Sequence, residues 1–489
     1  MSTSLSPDDS PKLPPEVCDA IISFVDEDVY DSLGRPCRPD PTRKGLHSCA
    51  LVCRSWTTRT CIHLFRVITI DNKSASNFAA VVTTHPPLRS YVQRVELSGD
   101  YGSQDSESGT STTPVHNGWI YDFLNKVVPH LPNLTSFEFR GLPILHRYFY
   151  ICHPPRVRSL TSLSLSSFNA ASAGDVLRLI SSYHCLKELY IYEGEWGQFR
   201  NHHYHVGRRW SCHFRVLSIE RSAIGDILDL FHWFAQLKTS SFEHLFLQWT
   251  FSGRDSVDTE QAPTRSIPKS TALGWARTLK TLSLLFLDKE NPPYKAAVVS
   301  KLLPIIKTCA NLHTIRLLIA NDWYEILHQL PDVLPALPTL RRFGLHIGYF
   351  EEVLKEERGE LWGAVDRVFA DSRKLSTVEH FEVMWSGSFA KGERKTSTNG
   401  DEESMSDRVD VDVDLLKGRF VDWHHEKPLT SIFPHLSARG ILWFSIFHSR
   451  FEGGVDSWYA LQITPEISSP SWSPRYRKSL LNPDWHPND

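Results

Sequence analysis

A three-anchor apolar phrase, L-x-x-L-x-L in form, returns ten times along this chain of 489 residues. A repeat of that kind restricts the fold more than bulk composition can. The anchors are Val92/Val95/Leu97, Leu134/Phe137/Phe139, Leu160/Leu163/Leu165, Leu186/Leu189/Ile191 and Phe214/Leu217/Ile219. They continue as Phe242/Leu245/Leu247, Leu279/Leu282/Leu284, Leu312/Ile315/Leu317, Leu340/Phe343/Leu345 and Val378/Phe381/Val383. With 41% apolar residues, three fixed positions are all apolar by chance about 7% of the time, so the weight rests on rhythm. Successive first anchors stand 42, 26, 26, 28, 28, 37, 33, 28 and 38 residues apart, and five of those nine intervals lie between 26 and 28. The second and third anchors, two residues apart, describe a short strand with one buried face.

Helical spacing fills several of the gaps. Trp119, Ile120, Phe123, Leu124 and Val127 precede the second phrase, and Val176, Leu177, Ile180 and Tyr183 the fourth. Ile224, Ile227, Leu228, Phe231 and Phe234 precede the sixth; Val298, Leu302, Ile305 and Ile306, interrupted by Pro304, precede the eighth. Helix and strand in alternation predict an α/β fold with a parallel sheet. So short a period curves such a sheet into a solenoid, strands on the concave side and helices outside. A mixed α/β domain without repeat symmetry is the other reading of the same pattern. These units resemble the leucine-rich-repeat family over roughly residues 88–450, which implies an irregular arc. The family places Asn or Cys three residues past the third anchor. Here those positions hold Asp100, Leu142, Phe168, Gly194, Ser222, Thr250, Leu287, Ala320, Gly348 and Ser386, so the polar ladder is missing and the array is degenerate. Residues between the anchors point to the opposite face. One column there holds Tyr190, Ser218 and Phe246, and the next holds Tyr192, Glu220 and Gln248. Tyr190, Tyr192, Glu220, Phe246 and Gln248 are therefore the candidate contacts for a protein target, unless an insertion or the tail covers them. The earlier Ser162, Ser164 and Ser166 offer hydroxyls only.

The N-terminal stretch is of another kind: LPPEVCDAIISFV at 13–25, LHSCALVCRSW at 46–56 and HLFR at 63–66. Pro14 and Pro15 suit a helix start, and Val17, Ile21 and Phe24/Val25 form one apolar stripe. In the second helix Leu46, Cys49, Ala50 and Cys53 form one stripe while Val52 and Trp56 lie on another, so it needs two things to pack on. Residues 11–68 resemble an F-box of the variety common in fungi, through LPPEV, LVCRSW and HLF in that order. The resemblance implies a three-helix module that docks on the Skp adaptor of a cullin–RING ubiquitin ligase. Leu13, Pro14, Val17, Ile21, Val52 and Trp56 fall where that family meets its adaptor. The polar connection over 26–45 is longer than the family's. A helical cap on the following domain is the alternative, with Val52 and Trp56 sealed by later segments of this chain.

The plan expected is a disordered start (1–10), an F-box (11–70), a leucine-rich-repeat-like domain (71–465) and a Pro/Trp-containing tail (466–489). Polar insertions interrupt it near 99–117, 251–270 and 386–414. The tail tryptophans are expected to latch onto the last repeat and cap the exposed edge. A net charge of −3 and a pI near 6.8 advertise no nucleic-acid surface. No run approaches the roughly 18 apolar residues of a membrane span, and the first residues lack a secretory pattern. Nine cysteines at irregular spacing fit reduced thiols in cytoplasm or nucleus. Phosphate-loop, dinucleotide, nucleophile-elbow and zinc-protease motifs are missing, so no catalytic residue, cofactor or metal is expected. His202, His203 and His205 with Cys212 and His213 match no zinc spacing, Cys49 and Cys53 read as core, and His424-His425-Glu426 lacks a partner. The expectation is a non-catalytic substrate receptor that binds a Skp adaptor, through it a cullin, and a protein target. A repeat scaffold outside ubiquitination is the first alternative, and a hydrolytic or metal enzyme on an irregular α/β fold the second.

Overall fold

The computed structural model describes residues 14–25, 44–52, 54–99, 118–144, 159–170, 172–196, 212–222, 230–231, 233–234, 240–249, 277–286, 303, 306–319, 324–347, 356–370, 375–386, 429–448, 457–463 and 473–476. Leu13, Pro304, the histidines at 202, 203 and 205, His424-His425-Glu426 and nearly all of the three insertions lie outside them.

Three helices open the chain: α1 (Pro15–Val25), α2 (Lys44–Ala50) and α3 (Arg54–Arg66). The single second helix expected over 46–56 is two helices. The Leu51 and Val52 amides bond back to the Ser48 and Cys49 carbonyls (3.1 and 3.2 Å), tightening the last turn of α2 so that the chain turns there. Thr57 Oγ1 then donates to the freed Ala50 carbonyl at 2.6 Å. The packed stripe of α1 is also rotated from the one expected. Cys18 and Ile22 turn inward with Leu46, Cys49 and Trp56, and Leu64 packs against them. This small core is separate from the large one that follows.

From Arg66 the chain passes directly into a fourteen-stranded sheet. Its strands are β1 (Val67–Ile70), β2 (Arg94–Ser98), β3 (Ser136–Arg140), β4 (Ser162–Ser166), β5 (Glu188–Tyr192), β6 (Cys212–Ser222) and β7 (Ser240–Trp249). They continue as β8 (Thr281–Phe286), β9 (Thr314–Ile319), β10 (Arg342–Ile347), β11 (His380–Ser386), β12 (Leu442–His448), β13 (Ser457–Ile463) and β14 (Ser473–Tyr476). Spatial order follows chain order throughout. The first twelve run parallel, while β13 pairs antiparallel with β12 and β14 antiparallel with β13. The fold is thus α/β, built on a large parallel sheet. The second and third anchors of all ten phrases lie in its strands, and every one of the thirty anchors is buried.

The repetition extends to the backbone. In five units the first anchor's amide bonds to the carbonyl three residues back: Leu134, Leu186, Leu312, Leu340 and Val378 donate to Leu131, Tyr183, Cys309, Leu337 and Leu375 at 3.2–3.3 Å. The same turn therefore feeds successive strands, which fixes their common register. Among the helices that follow, α4 (Ala75–Thr84), α5 (Gly118–Lys126), α6 (Ala173–Ser181), α7 (Tyr324–Val333) and α8 (Glu356–Ala370) place apolar residues such as Phe78, Phe123, Val176, Leu327 and Val365 in the same core as the anchors. One sheet face is thus covered by helices, as alternation of side chains along each strand requires.

Where the polar ladder is missing, an apolar one stands. Leu142 and Phe168 are buried, and a Cβ on Gly194 would come within 2.4 Å of the Phe168 ring. Just before them Gly141, Ser167 and Glu193 share a left-handed turn, with φ of 60°, 48° and 52°. The tail contributes β14 to the sheet edge, so its chain caps that edge through backbone pairing; Trp472 and Trp485 lie outside the described residues.

Candidate functional site

Two surfaces stand apart from the rest. The first is on the three N-terminal helices. Among the described residues seven large hydrophobic side chains are exposed, and six of them, Val17, Ile21, Val25, Leu51, Val52 and Ile62, lie on α1, α3 and the turn before α3. Val17, Ile21 and Val25 recur four apart, as an exposed stripe along α1 beside the buried Cys18 and Ile22. Leu51 is 87% exposed and Val52 61%. A module this small has inner positions enough for only one stripe per helix, and the second stripe is left facing outward. Pro14 is exposed at the α1 start, where its carbonyl accepts the Val17 and Cys18 amides at 3.0 and 3.2 Å.

Trp56 is placed differently from the other candidates. It is only 9% exposed, and its Nε1 donates to Cys18 Sγ at 3.0 Å. Among the described residues the indole clusters with Cys18 and Ile22 of α1 and with Leu46 and Cys49 of α2, apart from the main core. Of the two residues that gave the second helix its extra stripe, Val52 is free and Trp56 is core. Arg59 on α3 pairs with Asp19 on α1 and ties the two helices together on the solvent side. Burial of Cys18 and Cys49 agrees with cysteine acting as a small hydrophobe.

The second surface is the sheet face opposite the anchors. Its central row reads across the strands as Thr69, Glu96, Glu138, Ser164, Tyr190, Ser218, Phe246, Ser283, Arg316, Gly344, Glu382 and Trp443. From Ser164 to Glu382 small and large side chains alternate strand by strand. The expected column Tyr190, Ser218, Phe246 is therefore one contiguous stretch, with Tyr192 beside Glu220 in the next row. Tyr190, Tyr192 and Phe246 are half-buried, whereas Glu220 and Gln248 are buried. Ser218 Oγ donates to Glu220 Oε1 at 2.8 Å, so Glu220 serves the face from within. Burial, with the neighbouring Glu188 charge second, pushes the Tyr190 hydroxyl above its ordinary pKa, and its OH lies 3.5 Å from Glu188 Oε2.

Two charged clusters on this face went unread in the sequence. At one end Arg94 Nη2 bridges Glu138 (2.7 Å) and Glu96 (3.1 Å), with Thr69 Oγ1 donating to Glu96 at 3.0 Å. At the other, Ser445 donates to Glu382, and His380 Nε2 lies 3.5 Å from the same carboxylate. Burial alone would raise the Glu382 pKa; His380, the Ser445 hydroxyl and the Arg316 charge more than offset it and hold the group below the usual carboxylate value. Arg316, two strands away, is pushed down to about 10 by burial and stays charged at neutral pH.

Among the described residues no His/Cys/Asp/Glu cluster of three is placed to hold a metal ion, and no helix is long and apolar enough to cross a membrane. No protein-family model and no curated protein matches the chain.

Proposed function

We propose that this chain is a non-catalytic receptor subunit of a cullin–RING ubiquitin ligase. The three N-terminal helices act as an F-box and dock on a Skp adaptor. The parallel sheet, read as an irregular leucine-rich-repeat-like arc, offers the face opposite its anchors to a protein target. Catalysis is by tethering: holding two proteins on one scaffold raises their effective concentration and asks no chemistry of this chain. The observation that carries the reading is the concentration of exposed apolar side chains on α1, α3 and the intervening turn, around a core of their own. An apolar surface held apart from the main core is what a constitutive protein partner needs.

The test is co-purification of the intact chain with a Skp adaptor and a cullin. Val17→Asp with Ile21→Asp should abolish recovery of both while the thermal melt of the sheet is unchanged. An intact wild-type chain that binds no adaptor, or a double variant that still recovers it, overturns the proposal.

A further inference from the structure

We propose that Thr57, in the first turn of α3, is a phosphorylation site whose modification frees the Leu51–Val52 turn and so switches off docking by the N-terminal helices. This rests on the reading that those helices hold an adaptor, and it adds how the hold is regulated.

The turn between α2 and α3 carries the two most exposed of the large apolar side chains among the described residues, Leu51 at 87% and Val52 at 61%. Hydrogen bonds hold its shape from both sides. On the α2 side the Leu51 and Val52 amides donate to the Ser48 and Cys49 carbonyls. On the α3 side the Thr57 hydroxyl reaches back seven residues and donates to the Ala50 carbonyl at 2.6 Å. That carbonyl belongs to the last residue of α2, where a helix leaves its acceptors unfilled. Thr57 is nonetheless exposed, so the oxygen that ties the two helices is open to solvent. The exposed Thr83 and Thr84 differ: each donates to the carbonyl four residues back in its own helix. A change at their hydroxyls stays local, whereas a change at Thr57 is felt by the turn.

Phosphoryl transfer converts this tie into a repulsion. Thr57 Oγ1 attacks the γ-phosphorus of a nucleoside triphosphate held by a protein kinase. The bond from that phosphorus to the departing nucleoside diphosphate breaks, and the hydroxyl proton passes to the kinase's base. The ester oxygen left on Thr57 has no proton, so the Ala50 carbonyl loses this donor. The phosphate also sets about −1.5 to −2 charges against the C-terminal carbonyls of α2, the negative end of that helix. The turn is driven off α3, and Leu51 and Val52 lose their fixed place. The same charge stands at the positive end of α3, so α3 persists while its link to α2 is lost.

Sequence and position both favour this acceptor. Arg54 stands three residues before Thr57, whereas Ser55 and Thr58 have Val52 and Ser55 at that spacing. Kinases with acidic substrate clefts select a cation there. The start of a helix beside a chain reversal is also where local opening, which delivers the hydroxyl to the kinase, costs least.

Treatment of the intact chain with a protein kinase that prefers arginine three residues before its acceptor, with magnesium ATP, tests this. Peptide mass spectrometry should place the phosphate on Thr57. Biolayer interferometry against a purified Skp adaptor should then show affinity lowered about tenfold or more, restored by phosphatase. Hydrogen exchange should rise over residues 48–52 and stay unchanged over α1 and the later part of α3. Thr57→Glu should weaken binding in the same direction. Thr57→Val, which removes the donor without adding charge, should weaken it less, and Thr57→Ser should bind as wild type and still accept phosphate. Phosphate on Ser55 or Thr58 instead, no phosphate on Thr57, or a phosphorylated chain that binds within about twofold of the unmodified one overturns the proposal. So does loss of exchange protection throughout α1 and α3, which would mean that the module unfolds. An unmodified chain with no affinity for the adaptor refutes the receptor reading instead, and exchange over residues 48–52 still reports whether the phosphate opens the turn.

Discussion

Leu51 and Val52 offer the cleanest separation of docking from folding in this chain. Burying a Leu or Val side chain fully is worth about 1.5–3 kcal/mol. Scaled by their exposures of 87% and 61%, the two can still contribute about 2–4 kcal/mol when a partner covers them. Truncation of both to Ala forfeits roughly half to two-thirds of that, or about a 10- to 100-fold loss of adaptor affinity. Both sit on a turn outside the small core, so the free protein should lose under about 0.5 kcal/mol. Trp56→Ala works the other way. It empties the centre of the three-helix core and removes the donor to Cys18, at about 3–5 kcal/mol. Biolayer interferometry against a purified Skp adaptor, paired with hydrogen exchange over α1–α3, reads both effects. The reasoning fails if Leu51→Ala/Val52→Ala loosens the helices, if it leaves adaptor affinity within about twofold, or if Trp56→Ala leaves the helices as protected as before.

Three further outcomes follow from single contacts. Asp366 on α8 is buried and accepts the His435 and Leu436 amides, both at 3.0 Å, at the start of the one-turn helix Pro434–Ala438. Asp366→Ala should cost about 1–3 kcal/mol and raise hydrogen exchange over residues 429–448. A Cβ on Gly99 would lie 2.2 Å from the Gly141 carbonyl oxygen, which is backbone and cannot swing aside, so Gly99→Ala should cost about 1–3 kcal/mol in urea titration. Glu382 has a pKa below its unfolded value, so its contribution is complete above the unfolded pKa of about 4.3 and is lost as pH falls through the folded value. Glu382→Gln should therefore be less stable than wild type at pH 7, with the gap between their melts closing below about pH 4.

The sheet was legible because its signal is periodic and its anchors answer to one physical demand, burial. Where a unit departs from the phrase, the reason is specific. Phe65, Ile68 and Ile70 form an eleventh phrase, 27 residues before Val92, and pair in register with the next strand. Assigning Phe65 to the closing block of the N-terminal module hid it, although α3 runs into β1 without a loop. In the unit of β12 the first-anchor position is Arg439. Its guanidinium donates to the Leu375 and Val378 carbonyls at 3.0 and 3.1 Å. A cation there can replace an apolar anchor because it satisfies turn carbonyls that a leucine would merely cover. No hydrophobic pattern reports that exchange.

The candidate binding face was half legible for a related reason. The column four residues past the first anchor yields Tyr190, Ser218 and Phe246, and the same count continued gives Ser283, Arg316, Gly344 and Glu382. These four are 33, 28 and 38 residues apart, and only the shared register brings them side by side. Position along the column was therefore readable; state was not. Glu220 and Gln248 sit in the right row yet are buried, because depth on a sheet face is set by the neighbours' bulk and not by the residue's own polarity. Arg316, by contrast, draws its meaning from Gly344. Had a large side chain stood on β10, the guanidinium would be walled off from Glu382. A glycine inside a strand weakens it, and here it leaves the cation beside an open floor.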